Sequence, residues 1–336
     1  MEKGALNSML SKSFTMKGIS FLCTVYNEGK NIEAFIRSAW NQSVKPNEII
    51  VVDAGSRDNT IAVLEKLKKS GIPIKVIVAK GANIAQGRNV AFKAAQYDYI
   101  FTGDSGTIFE KDWNQKLIVG LKQGADIAVG KYAPMPAKSL AEQIAGTRFP
   151  NFDSFSKQQW DSFLPSNRQV AYTRAVLQKL GPYPEFIRRA DDTLMHLKAK
   201  KMKIKYYYAR DAVVYWRARD NLRQYLRLSY EDAKSDGVSR ILFQRKESVM
   251  KVAAFLAFLA TLVGGILLRK VIFVIPAFIL ILIFIQEFFK AKRRASLSIA
   301  LLTALFSLLL FITSGTGLIV GLMQGALGRK EYGVNN

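Results

Sequence analysis

Charge is spread so unevenly along this 336-residue chain that one soluble core cannot account for it. Residues 249–336 carry nine Lys/Arg and two Asp/Glu, whereas residues 1–248 carry 40 and 24. Three runs in that last quarter have no charged residue at all: 252–268, 271–286 and 295–328. A helix needs about 20 apolar residues to cross the hydrocarbon of a bilayer. The first two runs, of 17 and 16 residues, fall slightly short, and the flanking Lys251, Arg269, Lys270 and Lys290 lengthen them by snorkelling. Arg269-Lys270 suits a tight hairpin turn at a membrane face. The third run contains Ser314-Gly315-Thr316-Gly317 and reads either as a spanning helix or as a helix plus a re-entrant piece. Two or three transmembrane helices are therefore expected within 249–328, followed by a tail over 329–336. Arg245, Lys246 and Lys251 precede the first span, and Lys290, Lys292, Arg293 and Arg294 follow the second. The positive-inside bias then puts the large N-terminal part in the cytoplasm of a multi-pass protein of the cell membrane.

That N-terminal part reads as an α/β domain. Residues 1–17 are polar and small, a flexible tail with no apolar run of a signal peptide. From Ile19 onward, short β-branched runs alternate with helical stretches. Strands are expected at ISFLCTV, EIIVVD (48–53), IKVIVA (74–79) and YIFTGD (99–104), with helices over 31–41, 58–69 and 84–95. Such alternation predicts a mostly parallel sheet with helices on both faces. Ligands of such sheets bind outside the carboxyl ends of the strands, where Glu28, Asp53 and Asp104 all fall. Residues 130–190 are less regular and hold prolines 134, 136, 150, 165, 182 and 184. Segment 221–248 mixes Leu, Tyr, Ile and Phe with arginines, as amphipathic helices on a bilayer surface do.

Composition excludes several functions. Cys23 and His196 are the chain's only cysteine and histidine, so neither a disulfide framework nor a Cys/His zinc site can form. A nucleophilic hydrolase would have to rest on His196 alone, which reads instead as structural or exposed. The net charge of +23 accords with an acidic-lipid surface beside the anchor, and no nucleic-acid module accompanies it.

Four segments, TVYNE (24–28), VVDAGSRDNT (51–60), GRNVAFKAA (87–95) and IFTGDSGT (100–107), resemble in order and spacing the nucleotide-sugar half of family 2 inverting glycosyltransferases. WNQKL (113–117), FLPSNRQVAYTR (163–174), GPYPE (181–185), RRADDTLM (188–195) and the stretch 211–237 agree with it. The resemblance covers about residues 18–240 and implies a GT-A fold, placed here over 18–220. It further implies that Thr24, Tyr26, Glu28, Asp53, Arg88 and Asp104 bind a UDP- or GDP-linked sugar. Asp104 matches the first aspartate of the family's DxD motif, whose carboxylates hold a divalent cation, Mg2+ or Mn2+; here the motif reads Asp-Ser-Gly, and its second aspartate is missing. Asp191-Asp192 matches the family's acidic pair, whose second member is the general base; the resemblance thus implies Asp192 as base in preference to Asp191. Arg168, Arg223, Gln224 and Arg227 are expected to bind the diphosphate or an acceptor phosphate, because arginine forks match phosphate geometry. The expected activity is sugar transfer to a lipid-linked saccharide at the cytoplasmic membrane face, in envelope polysaccharide or glycoprotein assembly. A polyprenyl-phosphate acceptor and a non-catalytic membrane scaffold are the other two readings. A sugar nucleotidyltransferase would want a Gly-rich phosphate loop after the first strand, and TVYNEGKN is not one.

Overall fold

The computed structural model describes residues 16–240, 246–268 and 274–327. The expected tail over 1–17 lies outside them except for its last two residues; the tail over 329–336, Arg245 and the Arg269-Lys270 turn lie outside altogether. Eight strands make one sheet: β1 (Met16–Val25), β2 (Glu48–Asp53), β3 (Ile74–Val78), β4 (Tyr97–Asp104), β5 (Thr107–Phe109), β6 (Ile127–Pro134), β7 (Val170–Thr173) and β8 (Tyr206–Trp216). Their order is β3-β2-β1-β4-β7-β6-β8-β5. β1 runs parallel to β2 and β4, and β2 to β3, whereas β7 is antiparallel to both β4 and β6. The sheet is thus mixed, its parallel half being the part whose strands alternate with helices in the sequence.

Burial explains why these strands look uniformly apolar. Phe21, Cys23, Val25, Ile49 and Val51 enter a core on one face, while Leu22, Ile50 and Val52 enter a second core on the other. Both faces are covered, so no polar alternation remains. The first crossover helix, Ile32–Trp40, buries Ile32, Phe35, Ile36 and Ala39, a stripe at helical spacing. Helix Ile84–Ala94 starts at a capping box: Gln86 N–H donates to Asn83 Oδ1 at 2.8 Å and Asn83 N–H to Gln86 Oε1 at 2.9 Å.

The chain forms two compact units. The first consists of the chain up to Tyr132 with Phe155–Tyr183 and Met195–Val214, and it holds both cores. The second comprises Ala133–Ser154, Pro184–Leu194 and Tyr215 onward. In it, helices Val274–Lys292 and Leu297–Ala326 are long and apolar enough to cross a membrane, and Lys246–Leu268 carries a shorter apolar stretch, Val252–Gly264. Only 11% of the Val274–Lys292 window is buried, so its apolar surface faces outward, unlike that of a soluble core helix. These helices fit a membrane anchor. The last uncharged run is one continuous helix through Ser314–Gly317. Helix Leu222–Val238, expected as an interface helix, sets Leu222, Tyr225 and Leu226 against Ile144, Phe306 and Leu310. The proline-rich segment is fastened here too: Arg148 Nη1 donates to Glu287 Oε2 at 2.9 Å and to Ser307 Oγ at 2.8 Å.

Candidate active site

β1 is where the strand order reverses, with β2 and β3 on one side and β4 on the other. Register sets Thr24 beside Asp104 and Val25 beside Asp53, so three strands end level at one crevice. Helix Ile84–Ala94 reaches that edge closely because Gly87 has no side chain; a Cβ there would sit 2.7 Å from the Thr24 methyl.

Asp53 is buried and shapes its own turn. Gly55 N–H and Ser56 N–H each donate to its Oδ1 at 2.8 Å, and the Ser56 hydroxyl donates to Oδ2. The loop after β1 is braced on the loop after β2: Asn27 N–H donates to Ser56 Oγ at 2.8 Å, Glu28 N–H to Thr60 Oγ1 at 2.8 Å and Gly29 N–H to Asp58 Oδ2 at 2.9 Å. Hydrogen bonds from the Thr60 hydroxyl and the Gly29 amide hold the Asp58 carboxyl below the usual carboxylate range. Glu28 accepts from Asn31 Nδ2 at 3.2 Å, and Tyr26 stands with half its surface exposed. Both lie on the loop that follows β1, whose end is level with those of β2 and β4.

Asp104 is the centre of charge. Arg88 Nη2 lies 3.0 Å from its Oδ1 and Arg168 Nε 3.6 Å from its Oδ2. Burial alone would raise the carboxyl, but the two guanidiniums more than offset this and hold it below the usual carboxylate range. Arg88 is itself positioned. Asn167, its amide oxygen turned toward the guanidinium, accepts from Nη1 at 3.1 Å and Nε at 3.2 Å, while its amide nitrogen donates to the Tyr172 and Tyr183 hydroxyls at 3.0 Å. The Tyr183 ring lies 5.7 Å from Arg88 Cζ, and the Tyr132 ring 5.3 Å from Arg168 Cζ. Asn89 locks Tyr183 by a reciprocal pair of bonds to its backbone, at 3.0 and 2.8 Å.

The chain of polar contacts runs on into the core. Tyr172 OH is 3.1 Å from His196 Nε2, and His196 Nδ1 is 2.8 Å from Tyr206 OH. With Tyr172 accepting from Asn167, its hydroxyl proton is available to Nε2, an arrangement that suits a neutral imidazole protonated on Nδ1. Burial, then Lys200 and Arg88, push this imidazole down to about 3. His196 is structural. Asn167, Tyr172 and Tyr183 were not singled out from the sequence; the available signal was their position in FLPSNRQVAYTR and GPYPE, beside Arg168.

In the second unit Asp191 and Asp192 open helix Asp191–Lys201, Asp191 buried and Asp192 partly exposed. Asp192 Oδ1 accepts from Thr193 N–H at 2.7 Å. Arg223, Gln224 and Arg227 are exposed on helix Leu222–Val238, opposite the face that packs.

A divalent cation fits these residues poorly. Both oxygens of Asp104 already face guanidiniums, and Gly106, where a second aspartate would stand, is left-handed at φ +84. Among the described residues no three His, Cys, Asp or Glu cluster as a cation would need.

Residues 20–181 match the sequence model described as Glycosyl transferase family 2. The poly-beta-1,6-N-acetyl-D-glucosamine synthase of Staphylococcus aureus strain COL is 32% identical over 107 residues, which are 32% of this chain and 26% of the relative. The synthase of the same name from Staphylococcus epidermidis is 31% identical over 113 residues, 33% and 27% of the two chains. The match thus spans about a quarter of each curated relative. Among solved structures, a mannosyltransferase of Pyrobaculum calidifontis in complex with GDP-Man and Mn2+ aligns over 97% of this chain and 94% of its own, with a TM-score of 0.59 and 15% identity. S. aureus TarS in complex with UDP-GlcNAc aligns over 65% and 66%, with a TM-score of 0.49 and 20% identity.

Proposed function

We propose that this chain, whose residues 20–181 match the model of glycosyl transferase family 2, moves a sugar from a UDP- or GDP-linked donor to a lipid-linked saccharide at the cytoplasmic membrane face. The observation that carries the reading is the crevice at the ends of β1, β2 and β4, where Thr24, Asp53 and Asp104 end level and Arg88 and Arg168 bring positive charge. Asp53, Glu28 and Tyr26 take the nucleoside end; the arginines take the diphosphate. Apolar helices in the same chain support an acceptor drawn from the bilayer, and the curated relatives are named as polysaccharide synthases. Cytoplasmic orientation follows from the lysines and arginines flanking the spans.

Inversion is an in-line displacement. The acceptor hydroxyl oxygen bonds to the anomeric carbon, the bond from that carbon to the diphosphate breaks, and its electron pair leaves on the diphosphate. Asp192 accepts the hydroxyl proton, with Asp191 beside it; Arg223, Gln224 and Arg227 meet the acceptor's phosphate.

Membranes containing the full chain, incubated with a panel of labelled UDP- and GDP-sugars and extracted with organic solvent, test the reading. Label is expected in the lipid fraction, lowered about 100-fold or more by Asp192→Asn. Label confined to the aqueous fraction would overturn the lipid-linked acceptor, and equal transfer by both proteins would remove Asp192 as base.

A further inference from the structure

We propose that Arg88 and Arg168, rather than a divalent cation, neutralise the donor's diphosphate; this rests on the nucleotide-sugar reading above. Asp104 by itself would repel a diphosphate, so something cationic must intervene. The two guanidiniums already stand there, at 3.0 and 3.6 Å from the two oxygens of that carboxylate, leaving the trio with one net positive charge. Their forks suit phosphate oxygens, which accept pairs of N–H bonds in a plane.

The backbone supports the same assignment. Position 106 is held at φ +84, where a side chain is strained, and a Cβ there would meet nothing within 4 Å. The turn therefore leaves space for a ligand and supplies no second carboxylate. Positioning is also built in: Asn167 holds Arg88 by two of its nitrogens, and the Tyr183 and Tyr132 rings carry the faces of Arg88 and Arg168. The side chains keep 13% and 18% of their surface exposed, enough for a phosphate to reach them. In transfer, the bond from the anomeric carbon to the diphosphate breaks with its electrons passing to the phosphate oxygen, and the guanidiniums stabilise that developing charge. Asp104 then orients the two arginines between turnovers instead of ligating a metal.

Calorimetry on the detergent-solubilised full chain tests this, with UDP, GDP, uridine and guanosine titrated in EDTA and again in Mn2+. The diphosphate is expected to bind about tenfold or more tighter than its nucleoside in EDTA, and Mn2+ to change that by less than about threefold. Arg168→Gln and Arg88→Gln should each erase most of the diphosphate advantage while leaving nucleoside affinity in place. Asp104→Asn, a near-isosteric change whose folding a thermal melt would check, should bind UDP or GDP in EDTA at least as tightly as the native chain, because a repelling charge is gone. Diphosphate binding that appears only with Mn2+, or that Asp104→Asn abolishes, overturns the proposal and leaves the donor reading standing. Absence of nucleotide binding in both buffers overturns the donor reading and this proposal with it.

Discussion

Asn167 shows how one uncharged residue can hold a charged site together. It is buried, and it joins Arg88 to the hydroxyls of Tyr172 and Tyr183. Asn167→Ala leaves those donors and acceptors without their partner at a buried position, at a cost of about 1–3 kcal/mol. The thermal midpoint should fall, and UDP or GDP affinity should fall with it as Arg88 loses its orientation; Asn167→Asp should recover the contact to Arg88 better than Ala does. His196, further along the same chain of contacts, gives a pH signature. Its imidazole in the folded protein is pushed down to about 3, whereas an unfolded histidine titrates near 6.5. Between those values the unfolded chain binds more protons, so stability present above about pH 6.5 is lost as pH falls. The slope for one such group approaches about 1.4 kcal/mol per pH unit. His196→Gln should flatten the dependence of the melting midpoint on pH between 6.5 and 5, where few carboxylates titrate. An unchanged slope would mean that His196 is solvated rather than sealed. The sequence left His196 as structural or exposed and gave no sign of Asn167's contacts: a lone histidine and an asparagine inside a loop carry no periodicity, and their contacts exist only once β7 brings residues 167–172 beside β4.

Among the elements, the helices show best what sequence can and cannot convey. The parallel half of the sheet was readable because strands buried on both faces must be apolar throughout, as EIIVVD is. β6, β7 and β8 were not: their pairing depends on long-range contacts through the proline-bearing stretch 134–184, and no local pattern encodes those. Helix Leu222–Val238 is the clearer case. Its arginines and leucines suggested a helix lying on lipid, yet its backbone runs against helix Leu297–Ala326 at positions without side chains. Cβ atoms added at Gly317 and Gly321 would fall 2.4 and 2.1 Å from the carbonyl oxygens of Tyr230 and Lys234, and one at Gly237 2.6 Å from that of Leu318. Small residues four apart let the two backbones approach this closely. Gly321→Leu should therefore force the pair apart, costing about 1–3 kcal/mol, seen as a lower melting midpoint in detergent and faster proteolysis within 222–238. Gly264→Ala is the control, since nothing lies within 4 Å of its Cβ; it should leave both measurements unchanged or slightly improved. Equal effects from the two substitutions would refute the close contact.

For the molecule as a whole, the uncharged runs of the sequence mark the apolar C-terminal helices because charge is a direct record of contact with water, whereas segments 133–154 and 184–194 of the second unit carry no such mark. The sequence conveyed less of the site. Asp53, Arg88 and Asp104 were readable from their places at strand ends and a helix start, whereas the guanidinium pair around Asp104 emerges only when residue 168 arrives from a distant loop. Membrane orientation is a property of the entire chain, and the cysteine content makes it measurable. Cys23 is buried, and burial together with the Asp104 charge pushes its thiol well above the usual range, so it resists thiol reagents. A single cysteine placed elsewhere is then reported without background. Lys68→Cys lies on the exposed side of helix Thr60–Lys69. Lys270→Cys lies between the first two uncharged runs of the sequence. A membrane-impermeant maleimide applied to intact cells should label Lys270→Cys and spare Lys68→Cys, and opening the cells should bring Lys68→Cys to full labelling. The lysines and arginines at residues 245–251 and 290–294 would hold the adjoining helix ends on the cytoplasmic side, as the positive-inside bias requires. The reversed pattern would put the sheet domain outside the cell, away from the cytoplasmic supply of nucleotide sugars, and would end the case for transfer at the inner face.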